Sequence, residues 1–266
     1  QIADEISNTD VISCFAFAAI KHNWVCPTLE NSTIFEIKNG RHPVVENHLP
    51  TGEFVPNDSY VCSDDENLPS FNLITGPNMA GKSTYLRQNA LIILMAQIGS
   101  FVPANQALIG ITDRLFSRIG ASDDLAKGRS TFMVEMIETA SILNQATDRS
   151  FVILDEVGRG TSTYDGISNA WAVVDHIYKI NRCRTIFATH YMELTTIKND
   201  IPELKCQTLK VHESKGKVVF CHSIIDGIAD KAYGVYVAKL AGLPKSVVSK
   251  ANSLLNKLEK YRISNT

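Results

Sequence analysis

Three short runs, residues 71–74 (FNLI), 151–154 (FVIL) and 185–188 (TIFA), lack the polar–apolar alternation of a strand with one wet face. Side chains along a strand alternate between two faces, so a strand that is apolar almost throughout has to be covered on both. Helical stretches at residues 83–98, 131–146 and 168–180 separate the runs. Strands of this kind alternating with helices indicate a parallel sheet flanked by helices, the α/β class. A chain of 266 residues accommodates one large domain of that class with short appendages. In the second helical stretch Met133, Met136, Ile137 and Ala140 recur at helical spacing and are expected in the core.

Around this centre the pattern changes. Residues 1–30 read as the tail of a helical element, with Val11, Ile12, Phe15, Ala18 and Ala19 on one face and Cys26-Pro27 ending the run. Residues 34–37 read as a strand closed by the turn signal Asn39-Gly40, followed by RHPVVE at 41–46 and a polar loop through residues 63–67. Residues 204–212 and 217–224, joined across 213–216, read as an antiparallel β-hairpin. Residues 244–261 read as a helix with an apolar stripe of Val247, Val248, Ala251, Leu254, Leu255 and Leu258.

The stretch from Gly76 to Ser83 (GPNMAGKS) fits G-x-x-x-x-G-K-[ST] and lies between an apolar strand and a helix, the setting that this phosphate loop requires. Gly76 and Gly81 let the backbone curl so that successive N–H groups point at phosphate oxygens. The helix beginning near Lys82 adds its positive end. Lys82 is placed to reach the outer phosphates and Ser83 to ligate Mg²⁺. The run 151–154 leads directly into Asp155-Glu156, so both acids stand at the carboxyl end of a strand, where open parallel sheets bind ligands. Asp155 is expected to hold Mg²⁺, and Glu156 to orient or deprotonate the attacking water. The run 185–188 ends in Thr189-His190; His190 could hydrogen-bond a γ-phosphate or serve only the fold.

Composition excludes little. Lys plus Arg number 26 against 28 Asp plus Glu, a net charge of −2, so no global positive field points to nucleic acid or an anionic membrane. Residues 238–266 are locally basic, with six Lys and Arg against Glu259 alone, a pattern more often of a solvated helix face than of a binding site. No apolar run reaches the roughly 18 residues of a membrane span. The six cysteines show no CxxC pair and no metal spacing, so they are expected to be buried free thiols in a reducing cytosol. The chain opens on Gln1 and not Met, as expected of a fragment of a longer protein.

Four stretches carry a specific resemblance: 76–84 (GPNMAGKST), 130–136 (STFMVEM), 155–166 (DEVGRGTSTYDG) and 187–194 (FATHYMEL). Together with 41–46, 123–129 (DDLAKGR) and 233–241, in the same order, they resemble the ATPase domain of the MutS family of DNA mismatch-repair proteins, in its bacterial form. The similarity runs from about residue 10 to 260. Ala80 departs from it, where many relatives have Gly; the position is small and no loss is expected.

The resemblance implies an ABC-type P-loop ATPase with a parallel-core sheet, using ATP and Mg²⁺. Residues 1–30 would end the lever helices, 31–240 form the ATPase domain, and 241–266 a C-terminal helix-turn-helix dimerisation element. Phe54 and Val55 match positions that pack against adenine, and His222 one that closes over the base; read without it, Phe54 is core and His222 an outward strand residue. The nucleotide set becomes Phe54, Val55, Gly76, Pro77, Asn78, Met79, Ala80, Gly81, Lys82, Ser83, Thr84 and His222, with Asn78 touching phosphate. Ser130 matches a serine that reaches the γ-phosphate of the partner subunit in trans, although by spacing it is a helix N-cap. Arg159, Thr161 and Ser162 fall in a loop that forms part of the subunit interface. Implied partners are a second copy, mismatched double-stranded DNA in the full-length protein, and downstream repair proteins such as MutL, in the cytoplasm. The family's mismatch-reading Phe-x-Glu has no counterpart among the eleven Phe residues, so the C-terminal motor portion alone is expected. Alternatives are a paralogue acting on recombination intermediates and a nucleotide switch that does not hydrolyse. A transporter or chromosome-structure ATPase is disfavoured because residues 130–136 replace an LSGGQ-like signature.

Overall fold

The computed structural model describes residues 2–65, 68–120, 130–214 and 217–263, apart from the side chains of Asn78 and of residues 259–263. In chain order the elements are α1 (Ile2–His22), β1 (Thr28–Glu30), β2 (Phe35–Gly40), α2 (Pro43–His48), β3 (Asn57–Val61) and β4 (Phe71–Thr75). Then come a 3-10 turn (Asn78–Ala80), α3 (Lys82–Gln97), β5 (Gln106–Gly110), β6 (Leu115–Arg118), α4 (Thr131–Gln145), β7 (Phe151–Asp155), α5 (Thr163–His176) and β8 (Arg184–Ala188). After them follow β9 (Leu204–Ser214), β10 (Lys217–Asp226), α6 (Gly234–Leu240) and α7 (Lys245–Ile263).

Six strands form the central sheet, in the order β10-β9-β4-β8-β7-β6. β4 pairs in parallel with both β9 and β8, β8 with β7, and β7 with β6, while β10 returns antiparallel to β9. The missing alternation has the expected cause. Phe151 and Ile153 of β7 enter one core, shared with Leu86, Ile92 and Ile93 of α3. Val152 and Leu154 of the same strand enter a second, shared with Val173 and Val174 of α5. Each such side chain contributes about 2 kcal/mol by leaving water. The mixed α/β class with a helix-flanked parallel sheet therefore holds.

A second sheet, β1-β5-β2-β3, closes the first core through Phe35, Ile37, Val61 and Ile109. Phe35 meets Phe151 edge to face, ring centroids 4.9 Å apart. Arg184, fully buried on β8, joins the sheets by donating to Gly110 O at 3.1 Å and Thr112 Oγ1 at 3.0 Å.

Several local expectations are corrected. Asn39-Gly40 does not end the strand as a turn: Asn39 takes a left-handed φ of 51° inside β2, where the pairing with β3 slips, and its N–H is held by Asp58 Oδ1 at 2.8 Å. The stretch expected to be loop after residue 46 contains the end of α2 and all of β3. On α4 Met133, Ile137 and Ala140 are exposed, Met136 is half-buried against the second core, and the buried residues are Glu135, Thr139 and Ile142. α1 buries only Ala19, leaving Val11 and Ile12 in solvent. Cys14 and Cys26 are exposed, although all six thiols are free. α5 begins at Thr163, five residues before the predicted start, because Ser162 caps it and bonds Asp165. The expectations for 123–129 and the centre of the 213–216 connection lie outside the described residues.

Candidate nucleotide and metal site

β4 ends in Gly76, whose φ of 131° turns the chain out of the sheet, and Gly81 at φ 108° turns it again into α3. Both dihedrals lie where a side chain is disfavoured, so glycine is needed at both. Between them the 3-10 turn packs Ala80 with no exposure. Lys82, the first residue of α3, is buried and folds its ammonium back to donate to the Gly76 carbonyl. Its Nζ stands 3.9 Å from Glu156 Oε1. Burial pushes the Lys82 pKa down, and the neighbouring carboxylates Glu156 and Asp155 pull it back up.

Ser83 Oγ donates to Asp155 Oδ2 at 2.6 Å. The other oxygen, Asp155 Oδ1, is buried without a hydrogen-bond partner. Burial raises the Asp155 pKa, opposed by the Ser83 bond. A hydroxyl and an unsatisfied carboxylate oxygen, side by side, are the hard donors Mg²⁺ takes, and the residues fit that ion. Among the described residues no three His, Cys, Asp or Glu are placed to hold a metal ion by themselves. Were Mg²⁺ bound there, water and phosphate would supply its remaining ligands, as is usual in phosphoryl-transfer sites.

Glu156 adopts a left-handed φ of 55°, with its N–H donating to Ala188 O at 2.8 Å. Arg159 Nη1 reaches Glu156 Oε2 at 2.8 Å. A cavity of about 460 Å³ is lined by Lys82, Ser83, Asp155 and Glu156 together with Arg87 and Arg118. A second, of about 340 Å³, is lined by Gly76, Pro77, Met79, Glu156, Arg159 and His190. Burial lowers the His190 pKa, with Glu156 opposing, so the ring is neutral at pH 7. A third, of about 350 Å³, lies across the phosphate loop and brings together Phe54, Val55, Met79, Gly81, Thr84 and His222. The His222 ring is bonded through Nδ1 to Ala80 O at 2.9 Å; a carbonyl only accepts, so Nδ1 carries the proton.

The family profile of MutS domain V matches residues 72–259, from the second residue of β4 into α7. The chain belongs to the MutS family. It is 54% identical over 263 residues to the DNA mismatch repair protein MutS of Roseobacter denitrificans, covering 98% of this chain and 30% of that protein. It is 55% identical to that of Nitrobacter winogradskyi, covering 96% and 30%, and 57% identical to that of Bradyrhizobium sp. strain ORS 278, covering 94% and 28%. The chain thus spans about three-tenths of the length of these relatives.

Within the MutS domain V frame, Lys82, Ser83, Asp155 and Glu156 converge from α3 and the end of β7. His190 joins them through its shared cavity with Glu156. Ser130 is exposed at the start of α4, where its Oγ accepts the Met133 N–H at 3.2 Å, and it lines none of the three cavities. The Asn78 side chain lies outside the described atoms. Sequence reading missed Arg87, which follows Ser83 by four residues and so shares its helix face. It also missed Glu135, which enters the first cavity from α4 and accepts the Gly158 N–H. Tyr191 holds the other side of that residue, its hydroxyl donating to Gly158 O at 2.9 Å. Gly158 sits at φ 91° against the backbone of Gly166, so glycine is required there too.

Proposed function

We propose that this chain is the ATP-binding and ATP-hydrolysing unit of a MutS-type DNA mismatch-repair protein, in which nucleotide state controls the grip on mismatched DNA. The observation that carries the reading is the convergence of Lys82, the Ser83–Asp155 pair and Glu156 on one end of the phosphate loop. The N–H groups of residues 78–83 cradle the phosphates, and Lys82 exchanges its bond to the Gly76 carbonyl for the outer phosphate oxygens. Ser83 and Asp155 hold Mg²⁺, which when bound neutralises charge on the β- and γ-phosphates. Glu156 accepts a proton from the attacking water, and neutral His190 donates a hydrogen bond to the terminal phosphate. Phe54, Val55 and His222 enclose the adenine.

Ser130 acts across a dimer interface. Its exposure, together with Met133 and Ile137 on the outer face of α4, supports a second copy packing there. Val247, Leu254, Leu255 and Leu258 on α7 supply a further apolar face for that copy. Mismatched duplex DNA and a MutL-type protein are partners of the longer protein, acting in the cytoplasm; among the described residues no helix is long and apolar enough to cross a membrane. The test is steady-state phosphate release from ATP with Mg²⁺ and with excess EDTA. Turnover that requires Mg²⁺ supports the reading, and turnover that survives EDTA overturns it.

A further inference from the structure

The cavity across the phosphate loop has two walls from distant parts of the chain: Phe54 and Val55 ahead of β3, and His222 in β10. One buried side chain is bonded to both. Asn57, the first residue of β3, donates through Nδ2 to Val55 O at 3.2 Å and to His222 O at 2.9 Å. Its Oδ1 accepts the Ile224 N–H at 2.7 Å. Both ends of the amide are used, donors on carbonyls and acceptor on an N–H, a combination that Asp and Leu of similar size do not supply.

The second observation is strain on the wall that Asn57 grips. His222 stands at φ 54°, a conformation a residue with a Cβ adopts only when its surroundings hold it there. The pairing of β10 with β9 slips between Phe220 and Ile224, and the bonds from Asn57 land at 222 and 224, inside that slip. The same bulge lets the His222 ring reach Ala80 of the phosphate loop.

We infer that Asn57 is a positioning residue for recognition of the nucleotide base: it sets the spacing between the Phe54–Val55 wall and the His222 wall. Asn57 itself borders the cavity, but its amide is taken up by the backbone of both walls, so it acts by holding them. The inference rests on the base-site reading proposed above, and the experiment separates the two.

The experiment measures equilibrium binding of ATP and of inorganic tripolyphosphate, which has the phosphates and no base, to the full chain. Wild type is expected to bind ATP more tightly than tripolyphosphate; equal affinities would overturn the base-site reading itself. Asn57→Asp keeps the shape and the Ile224 bond but removes both donors. It is expected to weaken ATP about tenfold and to leave tripolyphosphate within about twofold. In a His222→Ala background, where the positioned wall has lost its ring, the same change is expected to cost less than about threefold. Equal losses in both backgrounds, parallel losses for ATP and tripolyphosphate, or wild-type ATP binding by Asn57→Asp would each overturn the inference.

Discussion

The Ser83 hydroxyl and the Asp155 carboxylate, 72 residues apart in the chain, meet at 2.6 Å and leave Asp155 Oδ1 buried with no partner. A buried, unsatisfied carboxylate oxygen costs stability in the absence of a cation. A divalent ion at the proposed Mg²⁺ site would relieve that cost.

The first prediction follows from that cost. Burial raises the Asp155 pKa, so between the ordinary carboxylate value and the raised one the folded state holds more protons than the unfolded state. This contribution makes the nucleotide-free protein less stable as pH rises through that window, and the penalty persists at pH 7. Asp155→Asn removes it while Asn Oδ1 still accepts from Ser83. Thermal unfolding without nucleotide should show a melting temperature higher by roughly 2 °C or more. Mg²⁺-dependent ATP turnover should be lost in the same variant, and a lower melting temperature would count against the assignment.

Lys82 and Glu156 should separate binding from chemistry. Lys82→Ala removes the countercharge on the outer phosphates and should raise the ATP dissociation constant. Glu156→Gln should bind ATP normally and hydrolyse it about 10²–10⁴-fold more slowly, the range for a lost general base. Wild-type turnover by Glu156→Gln would show that another group takes the proton.

Phe54 is only half-buried and belongs to neither core cluster. Phe54→Ala should therefore weaken nucleotide binding and leave the melting temperature of the nucleotide-free protein nearly unchanged. A loss of about 3 kcal/mol or more in unfolding free energy, as for a core Phe, would assign it to packing instead.

The shared site predicts complementation. Glu156→Gln and Ser130→Ala should each be inactive as homodimers. In a mixed dimer one site carries both defects and the other carries none. An equimolar mixture should then recover roughly a quarter of wild-type ATPase activity, since half the dimers are mixed and each has one intact site of two. Activity is read across a titration of the two variants, with association followed by light scattering. A clearly dimeric mixture that stays inactive would mean Ser130 acts within its own subunit or not at all.

The phosphate loop and the acids after β7 were legible because their chemistry is local: glycines at two turns, a lysine and serine at a helix start, carboxylates at a strand end. β4, β7 and β8 were legible because burial on both faces leaves a largely apolar run, broken only by single polar residues such as Asn72 and Thr185. α4 was misread for the opposite reason. Its buried face carries Glu135 and Thr139, satisfied by the Gly158 N–H and by a 2.8 Å bond from Thr139 to the Glu135 carbonyl. Polar side chains that find partners inside invert the periodicity argument. β3 escaped because only alternate residues are covered and two of those, Asn57 and Ser59, are polar. Asn39-Gly40 signals a reversal of the chain, but neighbouring strands turned it into a bulge. The Glu135–Gly158–Tyr191 contacts join three distant segments, which no local pattern encodes.

The left-handed dihedral at Glu156 makes the sheet a gauge for the chemistry. In an unbroken pleat Asp155 and Glu156 would project to opposite sides, and only one could approach the phosphate loop. The reversed φ cancels that half-turn, and the cost of about 1 kcal/mol is offset by the bond from the Glu156 N–H to Ala188 at the end of β8. A shift of β8 along β7 by a fraction of a residue would release that bond, and it would carry His190, two residues beyond Ala188, along with the strand. The register of two adjacent strands thus sets where the Glu156 carboxylate and the His190 ring stand relative to each other.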